Sequence, residues 1–187
     1  MQLKMYRPNI TPPDIPPPPG FAIRNMLPGE EPAWSFCCLG EFGIEQATPE
    51  GFYAKSMEEQ ALSEIFFICN ADGQPVGTAT AQLKEDKPYL HYISVHPGWR
   101  GKGLAKPLMS AVLQRHAALG RGGCYLTTDD PRLPAINSYV QLGWRPVLWS
   151  EDAVPRWQKV MALLGINALE AYNEKEEIIC QNLNSLS

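Results

Sequence analysis

One stretch, Val95-His96-Pro97-Gly98-Trp99-Arg100-Gly101-Lys102-Gly103-Leu104-Ala105, constrains the fold more than any other. The segment from Tyr89 to Val95 before it reads as a strand, and Leu104, Leu108, Ala111, Val112 and Leu119 after it repeat at helical spacing. Pro97, Gly98, Gly101 and Gly103 interrupt both patterns, so the chain must turn from strand to helix between them. Such a junction is an anion site in waiting. Unpaired N–H groups at the helix start face one concavity, glycines let a phosphate approach, and the helix dipole contributes about 0.3–1 kcal/mol per contact. Arg100, Lys102, Lys106, Arg115 and Arg121 make a basic island without an acid between Trp99 and Arg121. The chain as a whole has 16 Lys and Arg against 20 Asp and Glu, net −4, which excludes a generic nucleic-acid binder and confines the anion site to this island. Neither GxxxxGK[ST] nor the dinucleotide GxGxxG spacing is present, which disfavours ATP and NAD.

The remaining elements arrange themselves around this junction. Phe21 to Met26, Ile65 to Cys69 and Val76 to Leu83 read as strands, the last two joined by the turn Asn70-Ala71-Asp72-Gly73. Pro32 to Leu62 reads as short helical pieces broken by Gly40, Gly43, Pro49 and Gly51. Cys124 to Thr128 is a fifth strand, Leu133 to Leu142 a short helix stopped by Gly143, and Pro146 to Trp149 another strand. Val154 to Leu164 is expected to be helical, Asn167 to Glu177 a second helix, and Ile178 to Cys180 a strand or packing anchor. A hairpin followed by strand, helix, strand, helix, strand argues for a mixed α/β sheet.

The prolines of Pro8 to Pro19 favour extended polyproline II, so residues 1–20 are expected to be a tail and the fold to start near Phe21. Five cysteines, Cys37, Cys38, Cys69, Cys124 and Cys180, include no CxxC pair, and Met1 to Met5 show no signal-peptide pattern. A reducing, cytoplasmic setting is expected, with the cysteines as small apolar residues and only the Cys37-Cys38 pair open to metal or redox chemistry. His91, His96 and His116 form no cluster in sequence to support a metal, and none is expected. No apolar run reaches 18 residues, so no membrane partner is expected.

Arg100, Gly103 and Ala105 match [QR]-x-x-G-x-[GA] at a strand-to-helix turn, and Ala135, Tyr139, Gly143 and Trp144 match A-x-x-x-Y-x-x-x-G-[FW]. In these residues the chain resembles the GNAT superfamily of acyl-CoA-dependent N-acyltransferases. The resemblance covers Phe21 to Trp149 in element order and Tyr89 to Trp149 in motifs. It implies an α/β fold with a mixed central β-sheet, splayed parallel strands and flanking helices. The domains become a proline-rich tail over 1–20, a GNAT acetyltransferase domain over 21–150, and a C-terminal helical extension over 151–187 packing on it. The implied reaction moves an acetyl group from acetyl-CoA, as co-substrate, to a primary amine by direct attack in a ternary complex. A non-catalytic acyl-CoA-binding module is the competing reading.

The same resemblance assigns residues. The amides of Arg100, Gly101, Lys102, Gly103, Leu104 and Ala105 would hold the pyrophosphate, and backbone groups of Ile93, Ser94 and Val95 the pantetheine arm and thioester carbonyl. Tyr139 stands where the family often places the acid for the departing thiolate; a phenol near pKa ~10 serves a thiolate near ~8.5 with little penalty. Arg132 replaces an asparagine common in the family and is expected to pair with a CoA phosphate. Asn137 is a candidate polar contact to the pantetheine arm. His91, on the face of Tyr89, Ile93 and Val95 by simple alternation, is the candidate base, with a hydrogen-bonded structural histidine as the bland alternative. His96 is expected in the turn and His116 on the helix surface, while Asp129 and Asp130 either cap the next helix or orient a substrate cation. Eight Glu against one Lys between Pro28 and Glu64 lean toward a cationic amine acceptor. The chain is expected to act as a monomer or homodimer, without nucleic acid.

Overall fold

A computed structural model describes residues 2–8 and 11–186. The strands in chain order are β1 (Leu3–Arg7), β2 (Ala22–Asn25), β3 (Ile65–Cys69), β4 (Pro75–Lys84), β5 (Lys87–Val95), β6 (Cys124–Thr128), β7 (Arg145–Val147), β8 (Ala171–Tyr172) and β9 (Ile178–Cys180). The α-helices are α1 (Glu31–Cys37), α2 (Pro49–Tyr53), α3 (Ala105–Ala118), α4 (Leu133–Gln141) and α5 (Ala153–Leu164). The chain divides into two compact units, one spanning residues 11–121, the other combining the N-terminal residues with 122–186.

In the 11–121 unit, β2, β3, β4 and β5 form antiparallel ladders in that order. The β3–β4 turn forms where expected because Asn70 Oδ1 accepts the N–H groups of Asp72 and Gln74 at 3.1 and 2.9 Å. Register fixes the faces: Ile65 lies opposite Thr80 and Phe67 opposite Thr78, so these four share one side of the sheet. Ile65 and Phe67 pack with Trp34 and Cys37 of α1 and Phe52 of α2, which places the first two helices over that side. Helix α3 packs on β3, β4 and β5, burying Leu108, Val112 and Leu113.

The proline-rich stretch is ordered against α3, and only its Asn9 and Ile10 lie outside the described residues. Ser110, 2% exposed, accepts the N–H of Ile15 at 3.3 Å and donates to the carbonyl of Pro13, to which Gln114 also donates. A prolyl carbonyl keeps its acceptor capacity although the residue has no N–H, and α3 supplies the donors.

In the other unit the order is β6, β1, β7, β8, β9, with β7–β8 parallel and the other ladders antiparallel. The structure therefore corrects the expected start near Phe21: Leu3–Arg7 is a strand with β6 on one side and β7 on the other, Met5 facing Leu126 and Pro146. Its reason is burial, since Leu3 and Met5 are 1% and 0% exposed. The second helix expected over Asn167 to Glu177 is replaced by β8 and the turn into β9. Asn173 Oδ1 accepts from Lys175 N and Glu177 N, and the hydroxyls of Tyr6 and Tyr125 donate to the Glu176 carboxylate at 2.8 and 2.6 Å. Helix α5 forms as expected and packs on α4.

Candidate active site

The strand-to-helix junction is built by residues that hold one another. At the end of β5, His96 Nδ1 accepts the N–H of Gly98 at 3.2 Å, its ring stacks on Phe36 at 4.1 Å, and a 3₁₀ turn follows over Pro97–Trp99. Arg100 closes the turn by donating from Nε to the carbonyl of Val95 at 3.0 Å and from its terminal nitrogen to Glu41 at 2.8 Å. Gly101 and Gly103 then take φ of +77° and +75°, a left-handed conformation that side chains resist. A Cβ on Gly103 would lie 4.0 Å from Pro18 and one on Gly101 would meet nothing within 4 Å, so these glycines are required by conformation rather than by space. Leu104, 2% exposed, anchors the turn, and Ala105 starts α3.

The consequence is a run of free donors. Among the described residues, the backbone N–H groups of Gly101, Lys102, Gly103, Leu104 and Ala105 donate to no protein acceptor, and the three residues from Gly101 to Gly103 are exposed. Lys102 Nζ lies 5.7 Å over the Trp99 ring and adds a positive charge beside them. Exposed amides at a helix start, glycines and a lysine fit the pyrophosphate of an acyl-CoA. The Arg100 amide departs from the expected run, since it donates to the Pro97 carbonyl at 3.4 Å, and the Arg100 guanidinium holds Val95 and Glu41 within the turn.

The strand leading to the turn departs from simple alternation. Thr78 faces Ser94 and Thr80 faces His91, leaving Ala79 opposite the two residues Tyr92 and Ile93. This is a β-bulge, and Tyr92 pays for it with φ of +46°, unusual for an aromatic residue. The extra residue shifts the parity of β5. His91 shares its face with Tyr89 and Ser94, while Val95, opposite Gly77, lies on the other face, which corrects the grouping of His91 with Val95. Ser94 Oγ donates to the Cys37 carbonyl at 2.9 Å and is spent on α1. Tyr92 stands edge-on to Trp34 at 5.5 Å and to Phe42 at 5.2 Å, and its ring lies 4.0 Å from that of His91. Burial, with the charge of Lys84 as a second cause, pushes His91 down to about 4, so it is neutral at pH 7.

His116 corrects its expected surface position: it is 1% exposed and its Nε2 lies 3.1 Å from the Tyr89 carbonyl. Burial pushes the Cys37, Cys38 and Cys69 thiols up, which disfavours their thiolate forms, and among the described residues no His, Cys, Asp and Glu group has metal-binding geometry. The acidic stretch is partly neutralised inside the fold, since Glu30, Glu41 and Glu64 pair with Arg24, Arg100 and Arg121.

The other candidates belong to the other unit. Tyr139 on α4 is 3% exposed, with its ring edge-on to Trp144 at 6.0 Å and its carbonyl accepting from Trp144 N at 3.0 Å. Arg132 precedes α4 as its cap residue, and Asn137 Oδ1 accepts from Gln141 at 3.4 Å. Asp130 is occupied by Arg156 through contacts of 2.6 and 3.0 Å, so its role is an ion pair with α5 rather than a helix cap. Glu41 and Tyr92 escaped sequence reasoning. Neither carries a local signal: one is a glutamate among many, the other an aromatic residue in a strand.

A family model described as the acetyltransferase (GNAT) family matches residues 30–144. The chain belongs to the GNAT family. The GNAT chain is 28% identical over 126 residues to aminoglycoside N(6')-acetyltransferase type 1 of Stenotrophomonas maltophilia, covering 63% of this chain and 79% of that protein. It is 31% identical over 110 residues to N-acetylaspartate synthetase of Danio rerio, covering 58% of this chain but 37% of the relative. Among solved structures, a GCN5-related N-acetyltransferase from Sphaerobacter thermophilus superposes with a TM-score of 0.64 at 23% identity, covering 78% of this chain and 48% of that one. The match thus spans less than half the length of two of these three proteins, and the structural likeness establishes the mixed α/β GNAT fold. No helix among the described residues is long and apolar enough to cross a membrane.

Proposed function

We propose that this protein is an N-acetyltransferase that moves the acetyl group of acetyl-CoA to a primary amine by direct attack in a ternary complex. The observation that carries the reading is the run of unpartnered amides from Gly101 to Ala105 at the start of α3, in a chain belonging to the GNAT family. Bound acetyl-CoA supplies an activated thioester. The amides of the turn hold its pyrophosphate, Lys102 adds charge, and Arg100 acts as a positioning residue that keeps the turn closed on Val95 and Glu41. Backbone groups of Ile93, Ser94 and Val95, next to the bulge, orient the pantetheine arm and the carbonyl. Arg132 and Asn137 contribute further cofactor contacts. Tyr139 gives a proton to the leaving thiolate, and neutral His91 takes one from the attacking amine as the C–N bond forms and the C–S bond breaks and releases it to solvent, so that amine and acetyl-CoA become amide and CoA thiol. The first two relatives are named for the N-acetylation of an aminoglycoside and for N-acetylaspartate, two unlike N-acetyl compounds, so a primary amine is the acceptor class proposed here.

Calorimetric titration of acetyl-CoA, followed by release of CoA with an amine panel, tests this reading. Wild-type protein should bind saturably. Gly103→Asp, which places a carboxylate and a strained φ at the phosphate turn, should weaken binding at least about 10-fold. Tyr139→Phe should slow turnover more than it weakens binding. Absence of binding by folded wild-type protein would refute the acetyl-CoA site, and binding without turnover would favour a non-catalytic acyl-CoA module.

A further inference from the structure

Three polar side-chain atoms on one side of the β4–β5 ladder are buried without a hydrogen-bond partner: Thr80 Oγ1, Gln82 Oε1 and His91 Nδ1. The register brings them together. Thr80 faces His91 and Gln82 faces Tyr89, one rung pair along, so all three side chains share the face that carries Ile65 and Phe67. Thr80 is 0% exposed. Immediately beyond the Thr80–His91 rung the ladder breaks at the Tyr92–Ile93 bulge, on the strand that runs into the cofactor turn. Trp34, whose buried indole N–H also lacks an acceptor, stands against Tyr92 on this side. Folded proteins leave few buried polar atoms unsatisfied, and such atoms gathered on adjacent rungs mark a place built for something that hydrogen-bonds.

The donor and acceptor inventory defines that something. The Gln82 oxygen accepts only, the Thr80 hydroxyl donates and accepts, and the neutral His91 nitrogen does one or the other according to its tautomer. No carboxylate is among them, and the nearest charge along the same face of β4 is the cation of Lys84, so an ammonium group has no counter-charge here. Hydroxyl groups satisfy all three atoms without bringing a charge into the site.

We propose that Thr80, Gln82 and His91 form an acceptor subsite that holds an uncharged, hydroxyl-bearing part of the substrate, making hydroxylated amines the preferred acceptors over plain alkyl amines. This rests on the acetyl-transfer reading and narrows its substrate class. The probes are glucosamine and cyclohexylamine, two ring amines whose KM values are expressed as free-base concentrations because their hydroxyls also change the amine's basicity, used with wild-type protein, Thr80→Val and Gln82→Leu. Wild-type protein should show a KM for glucosamine at least about 100-fold below that for cyclohexylamine, because a site that loses its hydroxyl partner keeps unpaired polar groups. Both variants should bring the ratio close to unity while leaving the acetyl-CoA dissociation constant in place. Thr80→Val is nearly isosteric and removes an unsatisfied hydroxyl, so it should fold with an undiminished Tm. Equal use of the two amines, or a ratio that neither variant moves, overturns the subsite, and the orphaned atoms are then partners of internal water. If wild-type protein binds no acetyl-CoA, or acetylates neither probe, the acetyl-transfer reading fails separately. The subsite is then decided by thermal shift: a rise in Tm with glucosamine that Thr80→Val abolishes supports it, and no rise overturns it.

Discussion

His91 shows how burial of a single ring sets both chemistry and stability. Its folded value of about 4 lies below the ordinary 6.5, because burial and then the Lys84 charge disfavour the protonated ring. Between these values the unfolded chain binds a proton that the native protein refuses. The histidine's contribution to stability is therefore present above pH 6.5 and lost as the pH falls toward 4, and the gap corresponds to at most about 3 kcal/mol. His96 and His116 are lowered in the same direction and add to the trend. Urea unfolding at pH 7 and pH 4.5 should show wild-type protein losing more stability on acidification than His91→Gln, and equal losses would remove His91 as a source. The place of this residue on a strand was legible in the sequence, as were the turn glycines and Arg100, because each belongs to a local pattern. Its face was not. Strict alternation groups His91 with Val95, and one extra residue at Tyr92, a position with no glycine to announce it, moves them to opposite sides.

At the scale of elements, the parts read correctly from sequence are those whose stability is local. The β3–β4 hairpin carries its own turn chemistry at Asn70, and α3 carries a proline in its first turn and glycines after its last. The proline-rich segment is different. Nothing within it declares a partner, and its fixed position comes from Ser110 and Gln114 on α3, roughly a hundred residues away in sequence. Ser110→Ala would leave the Ile15 N–H without its acceptor and weaken the hold on the Pro13 carbonyl, at a hydroxyl buried on α3. The expected loss is about 1–3 kcal/mol, or roughly 2–10 °C in Tm. Differential scanning calorimetry measures it, and a Tm within about 1 °C of wild type would mean that the segment is held by something other than this serine. The β8–β9 region failed as a helix for a related reason. Its turn is pinned by Tyr6 and Tyr125 on Glu176, contacts that join residues 170 and 51 positions apart.

For the whole molecule, the decisive long-range fact is that β1 pairs with β6 and β7, joining Leu3 to Thr128 and Lys4 to Val147. A strand of five residues has little power to form alone, and its alternation of Leu3 and Met5 with Lys4 and Tyr6 is too short to separate from a tail. Its value lies in what it closes. Without it, β6 and β7 would each lose a ladder, and the apolar surfaces that bury Leu126 and Val147 would open beside two bare edges. The unit that holds Tyr139 is thus completed by the first residues of the chain, after residues 124–147 have been made. Removing residues 1–8 should yield a protein that aggregates or unfolds without a cooperative transition, as read by size-exclusion chromatography and near-UV circular dichroism. A synthetic peptide of residues 1–8 added during refolding should restore part of the soluble fraction, because strand addition needs only the ladder hydrogen bonds and the pockets for Leu3 and Met5. A shortened chain with unchanged Tm and solubility would show that β6 and β7 close without β1, and the division of the chain at residue 20 would then be the correct one.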